Sequence, residues 1–181
     1  MEKSIKILSL LLILSVLTSI VLAILLVKSK QKVTSEDLMK RFRLSAHVEN
    51  GAFVECHYPS TEKRPASGSI YYYIGPDEYT KFHEIDCDEY WCYIKGSPLE
   101  IWQIDTEGKI TISKFGIEEG CKTLVFFKRG VKFAAKGLKR GNEGTFLSCI
   151  TVPRYMAQGF TLYEDEQIIQ MYPETKAFYI H

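Results

Sequence analysis

His83 and Glu89, which stand six positions apart in the stretch Phe82–Cys92, are the residues of this chain best placed to do chemistry. An even spacing lets both side chains point to the same face of a sheet if the pleat is unbroken. An imidazole and a carboxylate that converge in a pocket can bind a divalent metal or act as base and acid. The alternative is structural, with His83 a hydrogen-bonded inner residue and Glu89 a paired carboxylate.

The elements that must position these two side chains are short strands separated by turn residues. Apolar residues recur at every second place in Leu99–Ile104 and Lys109–Ser113, a pattern typical of a sheet with one buried face. Nine such strands predict a mainly β domain, a sandwich or a jelly-roll β-barrel. The predicted strands are Ala52–Tyr58, Ser69–Ile74, Thr80–Ile85, Glu89–Lys95, Leu99–Asp105, Lys109–Phe115, Cys121–Phe127, Val131–Ala135 and Thr145–Val152.

Short helices are expected on either side of the strands. Thr34–Asp37 combines a hydroxyl cap with acidic residues, which predicts a helix that ends near Phe42 or Leu44. A second helix is predicted over Tyr163–Tyr172, and Pro173 ends it because proline cannot continue an α-helix.

The N-terminal part of the chain is strongly apolar. Ile7–Val27 is a run of 21 residues without a charge, long enough as a helix to cross a bilayer. We therefore divide the chain into a membrane anchor with its linker, residues 1–32, and a domain over residues 33–181. A cleaved signal peptide is the alternative, with Val21–Ala23 as the cleavage site and the domain secreted. Lysines flank both ends of the run, and their count slightly favours a cytoplasmic domain.

Charge and cysteine content limit the partners. Residues 33–181 carry 18 basic and 21 acidic side chains, which argues against a nucleic acid partner. The five cysteines include no zinc-type CxxC pair, and we expect free, mostly buried thiols. They are Cys56, Cys87, Cys92, Cys121 and Cys149.

Several segments of the chain resemble one family. The stretch Phe82–Cys92, followed by Gly96–Leu99, is similar to the first motif of cupins and most closely to the cupin-5 family, also called DUF985. Other matching segments, in the same order, are Gly51–Glu55, Ser69–Tyr72, Gly130 with Phe133–Ala135, and Cys149–Pro153. The resemblance covers Leu38 to Pro173. It implies a cupin β-barrel with a solvent-open pocket, commonly a homodimer, related in shape to sugar-nucleotide epimerases.

The general cupin metal motif is only partly present. His83, Glu89 and Gly96 fit the pattern His-x-His-x3-4-Glu-x6-Gly, but Ile85 stands at the place of the second histidine. Phe133 occupies the position of the histidine in the second cupin motif. Neither side chain has a lone pair, so the resemblance implies a degenerate site. We expect no tightly bound cofactor, and a loosely bound divalent metal is the alternative.

Two further departures leave alternatives open. Cys92 stands where the family often has histidine, so its thiolate is a weak third candidate for a metal ligand beside His83 and Glu89, or an inert buried thiol. Lys128 and Lys132 replace the family's Pro and Trp, and they either favour an anionic ligand or face solvent.

The first functional hypothesis is a membrane-anchored cupin-like domain that binds a small ligand, sugar-like or anionic, in its barrel. Aromatic walls with a few polar groups make such a pocket. The ligand-binding candidates are His83, Glu89, Trp91, Tyr72 and Lys132.

Two other functions stay open. An isomerase or epimerase of a sugar-nucleotide-like substrate would use His83 as the base and a tyrosine, Tyr72 or Tyr155, as the acid. A non-catalytic oligomeric interaction domain would have a filled barrel.

Overall fold

The computed structural model describes residues 13–22, 33–57, 59–138 and 143–180 of the chain. It divides into two units, Met1–Val33 and Thr34–His181, and each is described by itself.

In the first unit, residues 13–22 form a helix, α1. The hydroxyl of Thr18 donates to the carbonyl oxygens of Leu14 and Ser15 at 3.1 and 2.9 Å, so this polar side chain is satisfied within the helix. None of the described helices has both the length and the apolar character that a membrane crossing requires. The span predicted over residues 7–27 lies partly outside the described residues.

The second unit consists mainly of short strands. Its helices are α2 (Ser35–Arg41) and α3 (Asp165–Met171), with 3₁₀ segments at Ala157–Gly159 and Pro173–Tyr179. Its strands are β1 (Ser45–Ala46), β2 (Ala52–Glu55), β3 (Gly68–Ile74), β4 (His83–Ile85), β5 (Asp88–Gly96), β6 (Leu99–Ile104), β7 (Ile110–Phe115), β8 (Leu124–Phe127), β9 (Lys132–Gly137), β10 (Thr145–Val152) and β11 (Phe160–Leu162).

The strands form two antiparallel sheets. The six-stranded sheet has the order β1-β2-β3-β10-β5-β8, and the five-stranded sheet has the order β11-β4-β9-β6-β7. Within the described ranges neither sheet closes on itself, so the predicted barrel is corrected to two open sheets. Every observed strand pair is antiparallel, as the alternating pattern predicted.

All nine predicted strands are present, and two short ones, β1 and β11, were not predicted because two or three residues carry no readable periodicity. Both predicted helices are confirmed. The first begins with a capping box, in which Thr34 accepts from the Asp37 backbone and the Asp37 side chain accepts from Thr34. The second helix ends at Met171, before Pro173.

Two clusters of buried side chains use opposite faces of the five-stranded sheet. Ile101 and Phe133 point into the core between the sheets, together with Trp91 of the six-stranded sheet. Their chain neighbours Trp102 and Ala134 point the other way, into a second cluster under α3 and the C-terminal 3₁₀ helix. The five-stranded sheet is thus buried on both sides, which fixes β4 and its His83 in place.

Candidate functional site

A cavity of about 290 Å³ opens between the two sheets beside β4 and the loop that joins β1 to β2. Three of the four histidines of the chain line it, and so do three glutamates. These residues are His47, His57, His83, Glu49, Glu55 and Glu89. Apolar side chains form the remaining wall, among them Phe53, Ile70, Ile85 and Phe160. The cavity therefore combines an apolar surface with several titratable groups, as ligand sites commonly do.

His83 has its two ring nitrogens in different surroundings. The residue is 3% exposed, and Nδ1 donates to the carbonyl oxygen of Lys81 at 2.9 Å. The same nitrogen contacts Oε2 of Glu49. Both partners accept, so Nδ1 carries the proton, and among the described residues Nε2 has no hydrogen-bond partner. Burial is the largest influence on His83 and would lower its pKa, but attraction to Glu49 and the hydrogen bonds to Glu49 and to the Lys81 carbonyl together outweigh it, so the pKa is raised.

The Glu49 carboxylate lies between two imidazoles. Its Oε1 is 3.2 Å from Nδ1 of His47, and its Oε2 contacts His83. Burial is the largest influence on His47 and lowers its pKa, so His47 is neutral near pH 7. Of the two imidazoles, His83 is therefore the one whose charged form Glu49 stabilises enough to raise the pKa.

The loop that carries Glu49 is held by its backbone conformation and by tyrosines of β3. Asn50 and Gly51 both have a positive φ, 77° and 73°, and a Cβ on Gly51 would lie 2.5 Å from the carbonyl oxygen of Tyr73. Tyr72 donates its hydroxyl to the carbonyl oxygen of Asn50 at 2.6 Å. These contacts turn Glu49 away from water and toward the cavity, where it is 6% exposed.

Glu89 is the second buried carboxyl of the cavity. It is 7% exposed, and its Oε1 accepts from Nε1 of Trp91 at 3.0 Å. Burial raises the pKa of Glu89 to about 7, although the nearby imidazole of His83 acts in the opposite direction. The group is therefore balanced between its neutral and charged forms at physiological pH.

The rim of the cavity is more polar and more exposed. Nε2 of His57 lies 3.5 Å from Oε2 of Glu55, and Nη2 of Arg154 lies 3.7 Å from the same oxygen. Tyr155 also lines the cavity and is 38% exposed, and burial raises its pKa. Among the described rim residues, Arg154 thus contacts Glu55 and does not line the cavity.

The predicted ligand-binding residues separate into two groups. His83 and Glu89 both line the cavity, but from strands of different sheets, β4 and β5, and not from one unbroken sheet face as their even spacing suggested. Trp91 lies behind Glu89 and contacts it, and Tyr72 is buried with its hydroxyl bonded to Asn50. Lys132 does not line the cavity, because its Nζ lies 3.1 Å from Glu84 on the other side of β4.

Glu49, His47 and His57 were missed by the sequence reasoning. The segment His47–Gly51 is mostly polar and ends in Asn-Gly, which signals a turn but not the direction of its side chains. His57 follows the end of β2, where strand alternation gives no guidance. The concentration of three histidines in the first half of the chain was the available signal.

The side chains of this cavity do not fit a protein-held metal ion. Among the described residues, no group of three or more His, Cys, Asp or Glu side chains has the geometry of a metal site. Ile85 lines the cavity beside His83, and the Phe133 ring lies 4.2 Å from the imidazole, centroid to centroid. Cys92 alternates with Trp91 on β5 and therefore projects from the face opposite to Glu89.

Comparison with solved structures places this architecture among known ones. A protein from Shewanella oneidensis superposes with a TM-score of 0.72 at 26% identity, covering 80% of this chain and 93% of its own. A hypothetical protein from Leishmania major superposes with a TM-score of 0.69 at 23% identity, covering 80% and 95%. Oxalate decarboxylase from Bacillus subtilis shares the fold at a TM-score of 0.54 and 15% identity, covering 75% of this chain and 37% of its own.

A search of curated proteins found no match. The family described as Cupin superfamily (DUF985) matches residues 36–163, which include every strand from β1 to β11. The two-sheet architecture agrees with the cupin-fold structures above. The chain belongs to the Cupin superfamily (DUF985) family.

Proposed function

We propose that this cupin-fold domain binds a small molecule in the cavity between its sheets and exchanges a proton with it at Nε2 of His83. The observation that carries the proposal is the pair of acceptors at Nδ1, Glu49 and the Lys81 carbonyl. They fix the proton on Nδ1 and leave Nε2 as the basic nitrogen. A carboxylate behind an imidazole also stabilises the charge that the ring gains when it accepts a proton.

Loss of one proton and return of another is the chemistry of an isomerase or epimerase. Tyr155 is better suited than Tyr72 to act as the acid, because it lines the cavity while the Tyr72 hydroxyl is bonded to Asn50. Glu89 is a second candidate acid, since its pKa of about 7 keeps part of the population protonated at neutral pH.

The test uses dihydroxyacetone, a small neutral hydroxyketone, as the probe in D₂O. We expect the full chain in nonionic detergent to accelerate the exchange of the carbon-bound protons for deuterium. The exchange is measured as the loss of their ¹H NMR signal. The variant His83→Gln should lose the acceleration, and Glu84→Gln should keep it because Glu84 faces Lys132 on the other side of β4. Equal exchange in His83→Gln and the unaltered chain would refute proton transfer at this residue.

Membrane anchoring through residues 7–27 is a further proposal, supported by their uncharged sequence. Carbonate extraction of membranes followed by N-terminal sequencing separates the two readings. An anchored chain stays in the pellet with its N-terminus intact. A soluble chain that begins near Ile24 would mean that the segment is a cleaved signal.

A homodimer is also proposed, and an apolar surface supports it. The register of the six-stranded sheet aligns Ile150, Tyr90 and Phe126 side by side, and all three are exposed on its outer face. Exposed apolar patches on a sheet commonly mark a contact with another chain. Light scattering of the detergent-solubilised chain should give a dimer, and Phe126→Asp should give a monomer.

A further inference from the structure

We propose that the ligand of this cavity is an uncharged or positively charged small molecule with hydrogen-bond donors, and not an anion such as a sugar phosphate or a nucleotide sugar. This inference rests on the proposed binding function and defines the chemical class of the ligand. Two observations support it: carboxylates line the cavity, and the nearby lysine and arginine side chains lie outside its lining.

The lining contains carboxylates but no permanent cation. Glu49, Glu55 and Glu89 line the cavity, and within the described ranges no lysine or arginine does. The positive charge that His83 gains is already paired with Glu49. An anion that entered would lose its water and face carboxylates without a compensating charge, which is strongly unfavourable in a partly buried site.

The nearest cations are engaged elsewhere. Lys132, one of the two residues that suggested an anionic ligand, is paired with Glu84, and Lys128 is exposed. Arg154 at the rim approaches Glu55 at 3.7 Å. Neither Lys132 nor Lys128 lines the cavity, and the Arg154 charge is partly offset where it stands.

Donor groups on the ligand would find acceptors. The unprotonated Nε2 of His83 and the free oxygen positions of Glu49 and Glu89 all accept hydrogen bonds from hydroxyl or amino groups. As Glu89 loses its proton above its pKa of about 7, the cavity becomes more negative and should favour an amine further.

The size of the cavity supports the same class. A volume of about 290 Å³ lies at the lower end of ligand pockets and holds roughly ten water-sized groups. A monosaccharide or a cyclic amine fits that volume, whereas a nucleotide sugar would extend beyond it. Phe53, Ile70 and Phe160 offer an apolar surface for the ring of such a ligand.

The experiment uses three probes with the same six-membered ring and different charge: cyclohexylamine, cyclohexanol and cyclohexanecarboxylate. Binding to the full chain in nonionic detergent is measured at pH 8 by calorimetry and by ligand-observed NMR. We expect the amine to bind at least tenfold more tightly than the carboxylate, with the alcohol between them. The variant Glu89→Gln should reduce the ratio of amine to carboxylate affinity severalfold, and the control Glu84→Gln should leave it unchanged.

Two results would overturn this inference. If the carboxylate binds as tightly as the amine, the ligand class is wrong while the binding function stands. If none of the probes binds, or if Glu84→Gln changes the ratio as much as Glu89→Gln does, the charge of the cavity does not select its ligand. The dihydroxyacetone exchange then decides separately whether the cavity transfers protons.

Discussion

The carboxylate of Glu49 contacts Nδ1 of His83, although Glu49 lies on a loop of one sheet and His83 on a strand of the other. The contact directs the basic nitrogen of the imidazole away from the protein backbone. Under the proposed function, it leaves Nε2 as the nitrogen that accepts a proton from the ligand.

Removal of the Glu49 charge should lower the pKa of His83. In Glu49→Gln the attraction to the carboxylate is gone while burial of the ring remains, and burial disfavours the charged imidazole. Histidine ¹⁵N NMR titration of the full chain measures the change. Glu84→Gln is the control, and an unchanged His83 titration in Glu49→Gln would contradict the pairing.

The same variant should also change the pH dependence of stability. A folded-state pKa of His83 above its unfolded value stabilises the protein fully below that unfolded value, and the contribution disappears as pH rises through the folded-state pKa. Glu49→Gln should therefore lose stability mainly on the acidic side, with a cost of about 1–3 kcal/mol for the lost buried contact. Urea unfolding at several pH values measures it, and an equal loss at every pH would argue against a charged pair.

The effect of Glu89 on the pH dependence of stability should be opposite to that of a carboxylate whose pKa is lowered by folding. Its folded-state pKa of about 7 lies above the ordinary value of 4.5, so the folded protein binds the proton more tightly and loses stability as pH rises between these values. Glu89→Gln cannot ionise and should become more stable than the unaltered chain above pH 7, by roughly 3 kcal/mol. Thermal unfolding as a function of pH measures the difference.

Glu100→Gln is a matched control for this effect. Glu100 accepts from Nε1 of Trp102 at 2.8 Å, which repeats on β6 the contact between Glu89 and Trp91, but Glu100 is more exposed and lies near Lys136. A stability gain of the same size in Glu100→Gln would show that burial in the cavity is not its cause.

The two candidate tyrosines should respond differently to loss of the hydroxyl. Tyr72→Phe removes the hydrogen bond to Asn50 and leaves its partly buried carbonyl without that donor, which should cost about 1–2 kcal/mol of stability. Tyr155→Phe should leave stability nearly unchanged because the residue is half-exposed, and should slow probe exchange. Unfolding and exchange measurements on both variants distinguish these roles. Slower exchange in Tyr72→Phe alone would reverse the assignment.

A third ligand should create metal affinity in the cavity. Ile85 lines the cavity close to His83, and Ile85→His would add an imidazole to His83 and Glu89. We expect Zn²⁺ to bind this variant at least about tenfold more tightly than the unaltered chain, or about 1.4 kcal/mol. Ile94→His, on an exposed part of β5, is the control, and equal Zn²⁺ affinity in all three proteins would contradict the prediction.

Much of the fold was predictable because alternation of apolar residues reports which face of a strand is buried. β10 was predicted with its observed bounds, Thr145–Val152. His83 and Glu89 share one cavity, but they reach it from two different sheets, so their even spacing is not the reason. The barrel was not correct in detail, since closure depends on hydrogen bonds between strands that are distant in sequence. Local patterns contain no information about those bonds.

The decisive partner of His83 could not be predicted. Glu49 has no neighbours with a strand or helix period, and its direction depends on the positive φ of Asn50 and Gly51 and on the distant Tyr72. Lys132 was singled out from the sequence but lies outside the cavity. Its charge suggested an anionic ligand, whereas the structure pairs it with Glu84. Charge in a sequence indicates function only when its partner is also known.

The loop of Glu49 belongs to the edge of one sheet and the strand of His83 to the other, so their buried contact also connects the two sheets inside the cavity. A substitution of Glu49 would therefore affect both the packing of the two sheets and the proton transfer proposed for His83. An engineer who wishes to change the specificity of this protein should begin at Phe53 or Ile70 on the apolar wall, where shape can be altered while that contact between the sheets remains intact.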